Sequence, residues 1–251
     1  MKLFFNNEKG EATKNINNLI GVFYCSFTIL LLQKVFFLMK SVVLFLFVLS
    51  FHSIFSQQIA VLKYKGGGDW YANPTALPNL IQFSNANTNT SINKDIQTIT
   101  LNDDTVNNYP IVFATGHGNI FFTTEEANNL KNYLISGGFL HVSDNYGLDK
   151  YIRRELKKVF PDIQLQKIPN NHPIYHQTFS FPKGLPKIHE HDKKPAQGFG
   201  LFYKNRLIVF YDYESDLNDG WEDAAVHNNP KETRVKALKM GANIIEYAFK
   251  H

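Results

Sequence analysis

Cysteine is almost missing from this chain: Cys25 is the one thiol in 251 residues, and it lies in the apolar N-terminal part. The remainder can therefore form no disulfide, no Cys-ligated metal site and no thiolate nucleophile. A strong charge of one sign is missing as well. The formal net charge is +4, but Lys2, Lys9, Lys14, Lys34 and Lys40 set against Glu8 and Glu11 in the first 56 residues leave the other 195 with 21 basic and 20 acidic side chains. A nearly neutral domain has no electrostatic footprint for nucleic acid, so none is expected as a partner. Internal repeats and low-complexity linkers are absent too, so residues 57–251 read as a single domain, long enough to bury one good core.

What is present divides unevenly. Ten of the 22 Phe fall before residue 57. Met39 and Lys40 open a short charged segment, residues 42–49 (VVLFLFVL) are unbroken apolar, and residues 50–56 (SFHSIFS) end on a small residue ahead of Gln57. This is the layout of a secretory signal peptide cleaved after Ser56, with an apolar stretch too short to span a bilayer comfortably. A second apolar run at residues 19–32 is either a membrane segment or translated sequence upstream of a true start at Met39. The second is preferred, because a complete signal peptide rarely begins at a methionine by accident. The expectation is an upstream extension or membrane segment at 1–38, a signal peptide at 39–56, and an exported domain at 57–251. That domain would be periplasmic, on the cell surface or secreted, and would meet a membrane only through an uncleaved N-terminal segment.

From residue 59 onward, strand-like and helix-like patterns alternate. Residues 59–64 (IAVLKY), 96–101 (IQTITL), 111–114 (IVFA) and 139–142 (FLHV) read as strands. Residues 76–83 form a helix after Pro74. A second helix begins at Thr123, whose spacing to Glu126 fits a capping box, and stops at Gly137 and Gly138. A third carries Ile152, Leu156 and Val159 and ends before Pro161. A strand at 163–168, a His-rich loop region at 170–195 and a hairpin turning at Lys204 and Asn205 follow. The last helix starts at Pro230, with Val235, Leu238, Ala242, Ile245 and Phe249 as its apolar stripe. Such alternation implies an α/β fold with βαβ crossovers and a mostly parallel sheet covered on both faces.

Several phrases recur together: Gly67-Gly68-Asp69-Trp70-Tyr71, Thr115-Gly116-His117-Gly118, Gly137-Gly138-Phe139-Leu140 leading to Asp144, Arg153-Arg154-Glu155-Leu156, Phe160-Pro161, His172-Pro173-Ile174-Tyr175 and Gly220-Trp221-Glu222. In this order they resemble the bacterial domain of unknown function 4159 family, across nearly all of the chain after residue 59. The resemblance implies a class I glutamine amidotransferase-like fold, a flavodoxin-like three-layer sandwich. True amidotransferases place a Cys on the sharp turn after a strand, paired with His and Glu. The corresponding turn here, around Ser143, Asp144 and Asn145, has no Cys. Thiolate glutaminase chemistry is thereby excluded.

In doubly wound sheets, ligands bind outside the carboxyl ends of the parallel strands. That rule selects Gly68, Asp69, Trp70 and Tyr71 after the first strand, His117 and Asn119 after the third, and Asp144, Asn145 and Tyr146 after the fourth. The glycine loop suits close backbone approach to a polar ligand, or equally a tight turn whose Asp caps a helix. It lacks the spacing of a P-loop or a dinucleotide loop, so no nucleotide is expected. His117 between two glycines is a candidate general base or metal ligand, or a loop-closing His. Asp144 could attack or activate water, though capping the next helix explains it more simply. His172, His176, His189 and His191 suit a zinc-like site only if the loop gathers them; solvated loop histidines are the simpler reading. Residues 214–223 are densely acidic but lack EF-hand spacing. Trp221 and Glu222 suit carbohydrate or peptide contact, or core packing. Arg153 and Arg154 read as a solvated helix face pairing with Asp149 or Glu155. The expectation is therefore a polar ligand, glycan or peptide, with no cofactor unless a divalent metal. The first hypothesis is a non-catalytic recognition or scaffold domain. The alternative is a hydrolase using Asp144 or Asp69 with His117.

Overall fold

The computed structural model describes residues 33–40 and 57–251. The second apolar run, Cys25 and most of the signal-peptide reading lie outside the described residues. Residues 33–40 are helical, and no described helix is long and apolar enough to cross a membrane.

The chain from residue 57 folds as β1 (Ile59–Leu62), α1 (Ala76–Asn87), β2 (Gln97–Ile99), β3 (Ile111–Gly116), α2 (Thr124–Ile135), β4 (Phe139–Asp144), α3 (Asp149–Val159), β5 (Gln166–Lys167), β6 (Gln197–Tyr203), β7 (Arg206–Tyr213), α4 (Ala224–His227) and α5 (Lys231–Lys250). One sheet holds all seven strands in the order β2-β1-β3-β4-β7-β6-β5. The first five positions in that order are parallel. Only β6 runs against the rest. This is a flavodoxin-like three-layer α/β sandwich extended by a β6–β7 hairpin, whose turn residues Lys204 and Asn205 both have positive φ.

The layering follows from chain direction. The chain steps one way from β1 to β2 and the other way from β3 to β4, and right-handed crossovers in opposite directions put their helices on opposite faces. One core cluster accordingly joins the sheet to α2 and α3 through Ala127, Leu130, Leu134, Ile152 and Leu156. The other joins it to α1 and α5 through Leu77, Leu80, Ile81, Leu238 and Ile244. β3 and β4, sandwiched between both layers, are buried along their whole length.

The Thr123 capping box is complete: the Thr123 hydroxyl accepts from the Glu126 amide, and the Glu126 carboxylate accepts from the Thr123 amide at 2.8 Å. Two expectations need correction. The strand expected at 163–168 shrinks to β5, an exposed edge pair held only by β6. The apolar stripe of α5 is also broader than the expected one: Val235 and Phe249 are only half-buried, whereas Ala237, Met240, Gly241 and Ile244 are buried. This helix packs on α1 and on the turns at Leu217–Gly220 and Pro173–Tyr175 together, so it covers more than one face.

Candidate functional site at the carboxyl edge of the sheet

The chain diverges from β1 and β3, and the loops that follow them meet at this switch point. The Gly68 amide donates to the Asn119 carbonyl at 2.9 Å, and the Asn119 side chain donates to the Gly66 carbonyl at 2.9 Å. Gly116, at φ +138°, leaves β3 against the Tyr64 hydroxyl and the Asp69 backbone, where a Cβ would overlap both. Across this zipped pair of loops, Asp69 accepts from the His117 amide through Oδ1, and its Oδ2 lies 2.9 Å from His117 Nδ1. The His117 side chain is 56% exposed. Trp70 packs partly on the core and meets Tyr71 edge-on, with Tyr71 exposed.

At the ends of β4 and β7 the polar side chains are buried. Alternation along the strands sends Asp144 to the α2–α3 face and Ser143 to the α1–α5 face. Asp144 Oδ2 accepts from the Tyr211 hydroxyl at 2.8 Å, and Oδ1 accepts from the Tyr146 and Leu148 amides. Burial pushes the Asp144 carboxyl above its usual range, and the same burial raises the Tyr211 hydroxyl. On the other face, Asp212 Oδ2 lies 2.7 Å from His141 Nε2, while Oδ1 accepts from the Ser143 hydroxyl and the Asp144 amide. Burial drives His141 down to about 3 and holds Asp212 well above an ordinary carboxyl. Next to them, Asn218 Nδ2 donates to Thr115 Oγ1 at 2.5 Å.

The turn after β7 adds three more histidine–aspartate contacts and a stacked aromatic. His191 Nε2 lies 2.7 Å from Asp216 Oδ2, and its ring stacks on Tyr146 at 4.5 Å between centroids. Burial pushes Asp216 up to about 7, helped by Asp219 and Asp144 and opposed by His191. His189 Nδ1 lies 2.8 Å from Asp219 Oδ2, with His227 Nε2 3.7 Å from Asp219 Oδ1. Asn145, 2% exposed, has neither its amide oxygen nor its amide nitrogen hydrogen-bonded, and the buried Asn218 Oδ1 is likewise without a partner. Buried amides left unsatisfied in this way cost stability, and each calls for an explanation.

Several of the motifs read from the sequence thus meet at the carboxyl edge, and the residue pattern of residues 58–249 matches the family described as Domain of unknown function (DUF4159). The chain belongs to that family. A search of curated proteins found nothing that matches. Within this DUF4159 domain, the edge gathers Gly68, Asp69, Trp70, Tyr71, His117 and Asn119 in one loop pair, and Asp144, Asn145 and Tyr146 in the next. Asn119 is spent on structure, because its side-chain oxygen Oδ1 also accepts from Arg154 at 2.9 Å. Arg153 and Arg154 pair with Asp149 and Glu155, and Arg153 also lies over the Phe199 ring at 4.4 Å.

Other sequence-selected residues go elsewhere. Trp221 is fully buried against Phe113 and His141, with its indole N–H on the Ala237 carbonyl, so it is core and not ligand surface. Glu222 is buried and accepts from the Thr75 amide at the start of α1. His172 packs on Phe202 and Tyr247. Phe202 pairs with Leu207 near the start of β7, the opposite edge of the sheet from the turn that holds His189 and His191. His176 is exposed, bonded to the Asn170 carbonyl at 2.8 Å. The four-histidine metal cluster therefore does not assemble. Asp144 and His117 are not partners either: one is committed to Tyr211, the other to Asp69. Sequence reasoning passed over His141, Asp212 and His227. A His and an Asp inside the apolar runs FLHV and IVFYDY were the available signal for the first two.

Proposed function

We propose that this domain is a non-catalytic recognition module outside the cytoplasm, binding a polar, hydroxyl-rich ligand of the glycan class at the carboxyl edge of its sheet. The observation that carries the reading is Asn145, a buried side-chain amide with both polar atoms unpaired, one residue before the exposed Tyr146 that stacks on His191. An amide offers a donor and an acceptor to a hydroxyl pair, and an adjacent aromatic face suits the apolar side of a sugar ring. Tyr71 and Trp70 offer a second aromatic surface on the neighbouring loops. Tyr146 has φ 85°, a conformation costly for a bulky residue and one that gathers at ligand sites.

Equilibrium binding to glycan and peptide panels tests it. Binding without turnover is expected, weakened by about tenfold or more in Tyr146→Ala and in Asn145→Ala, as for central contact residues. Absence of any ligand, or binding indifferent to both substitutions, overturns it. Export is tested by N-terminal sequencing of the cell's own protein, where a mature chain beginning before Met39 contradicts cleavage after Ser56.

The Asp69–His117 pair favours a second reading, a hydrolase in which Asp69 orients His117 through Nδ1 and leaves Nε2 for the substrate. Turnover of any bound ligand, abolished in His117→Ala, would put this reading first.

A further inference from the structure

We infer that His189, Asp219 and His227 form a binding site for one divalent transition-metal ion of zinc's class. Three segments converge to make it: the long loop before β6, the turn after β7, and the end of α4. One ligand atom from each residue lies within 4.8 Å of the others. Ligands about 2.1 Å from one ion stand about 3.0 Å apart at right angles and about 3.4 Å apart in a tetrahedron. The observed contacts, His189 Nδ1 to Asp219 Oδ2 at 2.8 Å and His227 Nε2 to Asp219 Oδ1 at 3.7 Å, set one oxygen of the carboxylate beside each imidazole at about that range. Imidazole nitrogens select zinc-like ions over magnesium or calcium, which prefer all-oxygen sites.

The hydrogen bonds around the three residues point the same way. His189 Nε2 lies 2.9 Å from Asn229 Oδ1, while its Nδ1 faces the Asp219 carboxylate. Both ring nitrogens therefore face acceptors, and a neutral imidazole has one proton to give. With Nε2–H held by Asn229, the ring presents Nδ1 beside the Asp219 carboxylate, the outer hydrogen bond on one nitrogen and the open lone pair on the other that metal-ligating histidines use. Turning the Asn229 amide over would instead set its oxygen against the Asp219 carbonyl, which its nitrogen now faces at 3.5 Å. His227 Nε2 is buried with no hydrogen-bond partner, so it too has a free ligating position. Asn73 Nδ2 donates to Asp219 Oδ1 at 2.6 Å and fixes the carboxylate, as outer partners of metal ligands do. The three side chains are 25%, 12% and 27% exposed, which gives an ion a route from solvent. Of the four histidines selected from sequence, only His189 belongs to this site; the ligands it needed were an aspartate thirty residues on and a histidine outside the His-rich loop. None of the three ligands is Asn145, Tyr146 or His191, and neither proposal rests on the other.

The test uses the full chain stripped with chelator and titrated with zinc by calorimetry, with cobalt absorption as a second readout. Expected are one ion per chain, a visible cobalt band of nitrogen–oxygen ligation, a raised Tm, and affinity weaker by about tenfold or more in His227→Ala, the scale set by loss of a metal-site group. His227 ends a short exposed helix, so this variant should keep the fold, which circular dichroism verifies; His176→Ala should bind as the parent does. No saturable binding, undiminished binding in His227→Ala, or loss of binding in His176→Ala would each overturn the assignment.

Discussion

His141 on β4 and Asp212 on β7 face each other at 2.7 Å with side-chain exposures of 5% and 0%. Burial disfavours both charges, lowering the histidine to about 3 and raising the aspartate well above its ordinary value, so the folded pair holds one proton, on Asp212. The sign follows from linkage. Above an ordinary aspartate pKa of about 3.9, the unfolded chain has lost this carboxyl proton and the folded chain keeps it, so the group costs stability as pH rises. Asp212→Asn removes that titration. Denaturant unfolding from pH 4.5 to 8.5 should show the variant gaining on the parent by up to about 1.4 kcal/mol per pH unit, until the raised pKa is passed. A difference that does not change with pH would mean that the folded pair keeps no extra proton, with Asp212 ionised beside a neutral His141.

The architecture was legible in the sequence because its signals are local. The Thr123 and Glu126 spacing, the Gly137 stop and the Lys204-Asn205 turn act within a few residues, and the buried runs of β3 and β4 announce central strands. The site was legible only where a loop rule applies. That rule brought Asp69 and His117 to the same edge, but no spacing tells that Asp144 turns toward Tyr211, nor that Trp221 closes the core over His141. Asp219 and His189 meet through the fold of a long loop whose course has no periodic pattern to read.

Tyr211→Phe should be costly for a side chain that loses a single oxygen. The hydroxyl serves Asp144 at 2.8 Å and reaches Asp149 at 3.2 Å. Without it, Asp144 Oδ2 is left buried without its donor, a loss of about 1–3 kcal/mol. Urea unfolding measures it, and a change below about 0.5 kcal/mol, the scale of a neutral surface substitution, would show that the bond contributes nothing.

Gly116→Ala is expected to be more damaging than its size suggests. The position has φ +138°, and the added Cβ overlaps the Tyr64 hydroxyl and the Asp69 backbone. Backbone strain of about 1–3 kcal/mol is joined by displacement of the loop that presents Asp69 to His117. Gly118→Ala is the comparison, because its φ is also positive but nothing lies within 4 Å of the added atom. The first should lower Tm clearly more than the second; equal losses would assign the whole effect to φ and none to the packing of the two loops.

Asp69→Asn separates orientation from stability at the switch point. Asp69 Oδ2 can only accept from His117 Nδ1, so in neutral imidazole the proton sits on Nδ1 and Nε2 is the free base. An asparagine keeps the acceptor for the His117 amide but presents an N–H to the ring, which then has to accept at Nδ1 and carry its proton on Nε2. Nitrogen NMR of labelled histidine at pH 8.5, about two units above an ordinary imidazole pKa, should show the Nδ1–H form in the parent and the Nε2–H form in the variant. Stability should change by less than about 1 kcal/mol, because the pair is solvent-exposed. A parent ring already protonated on Nε2 would mean that Asp69 does not set the tautomer. The hydrolytic reading would then lose the group that prepares its base.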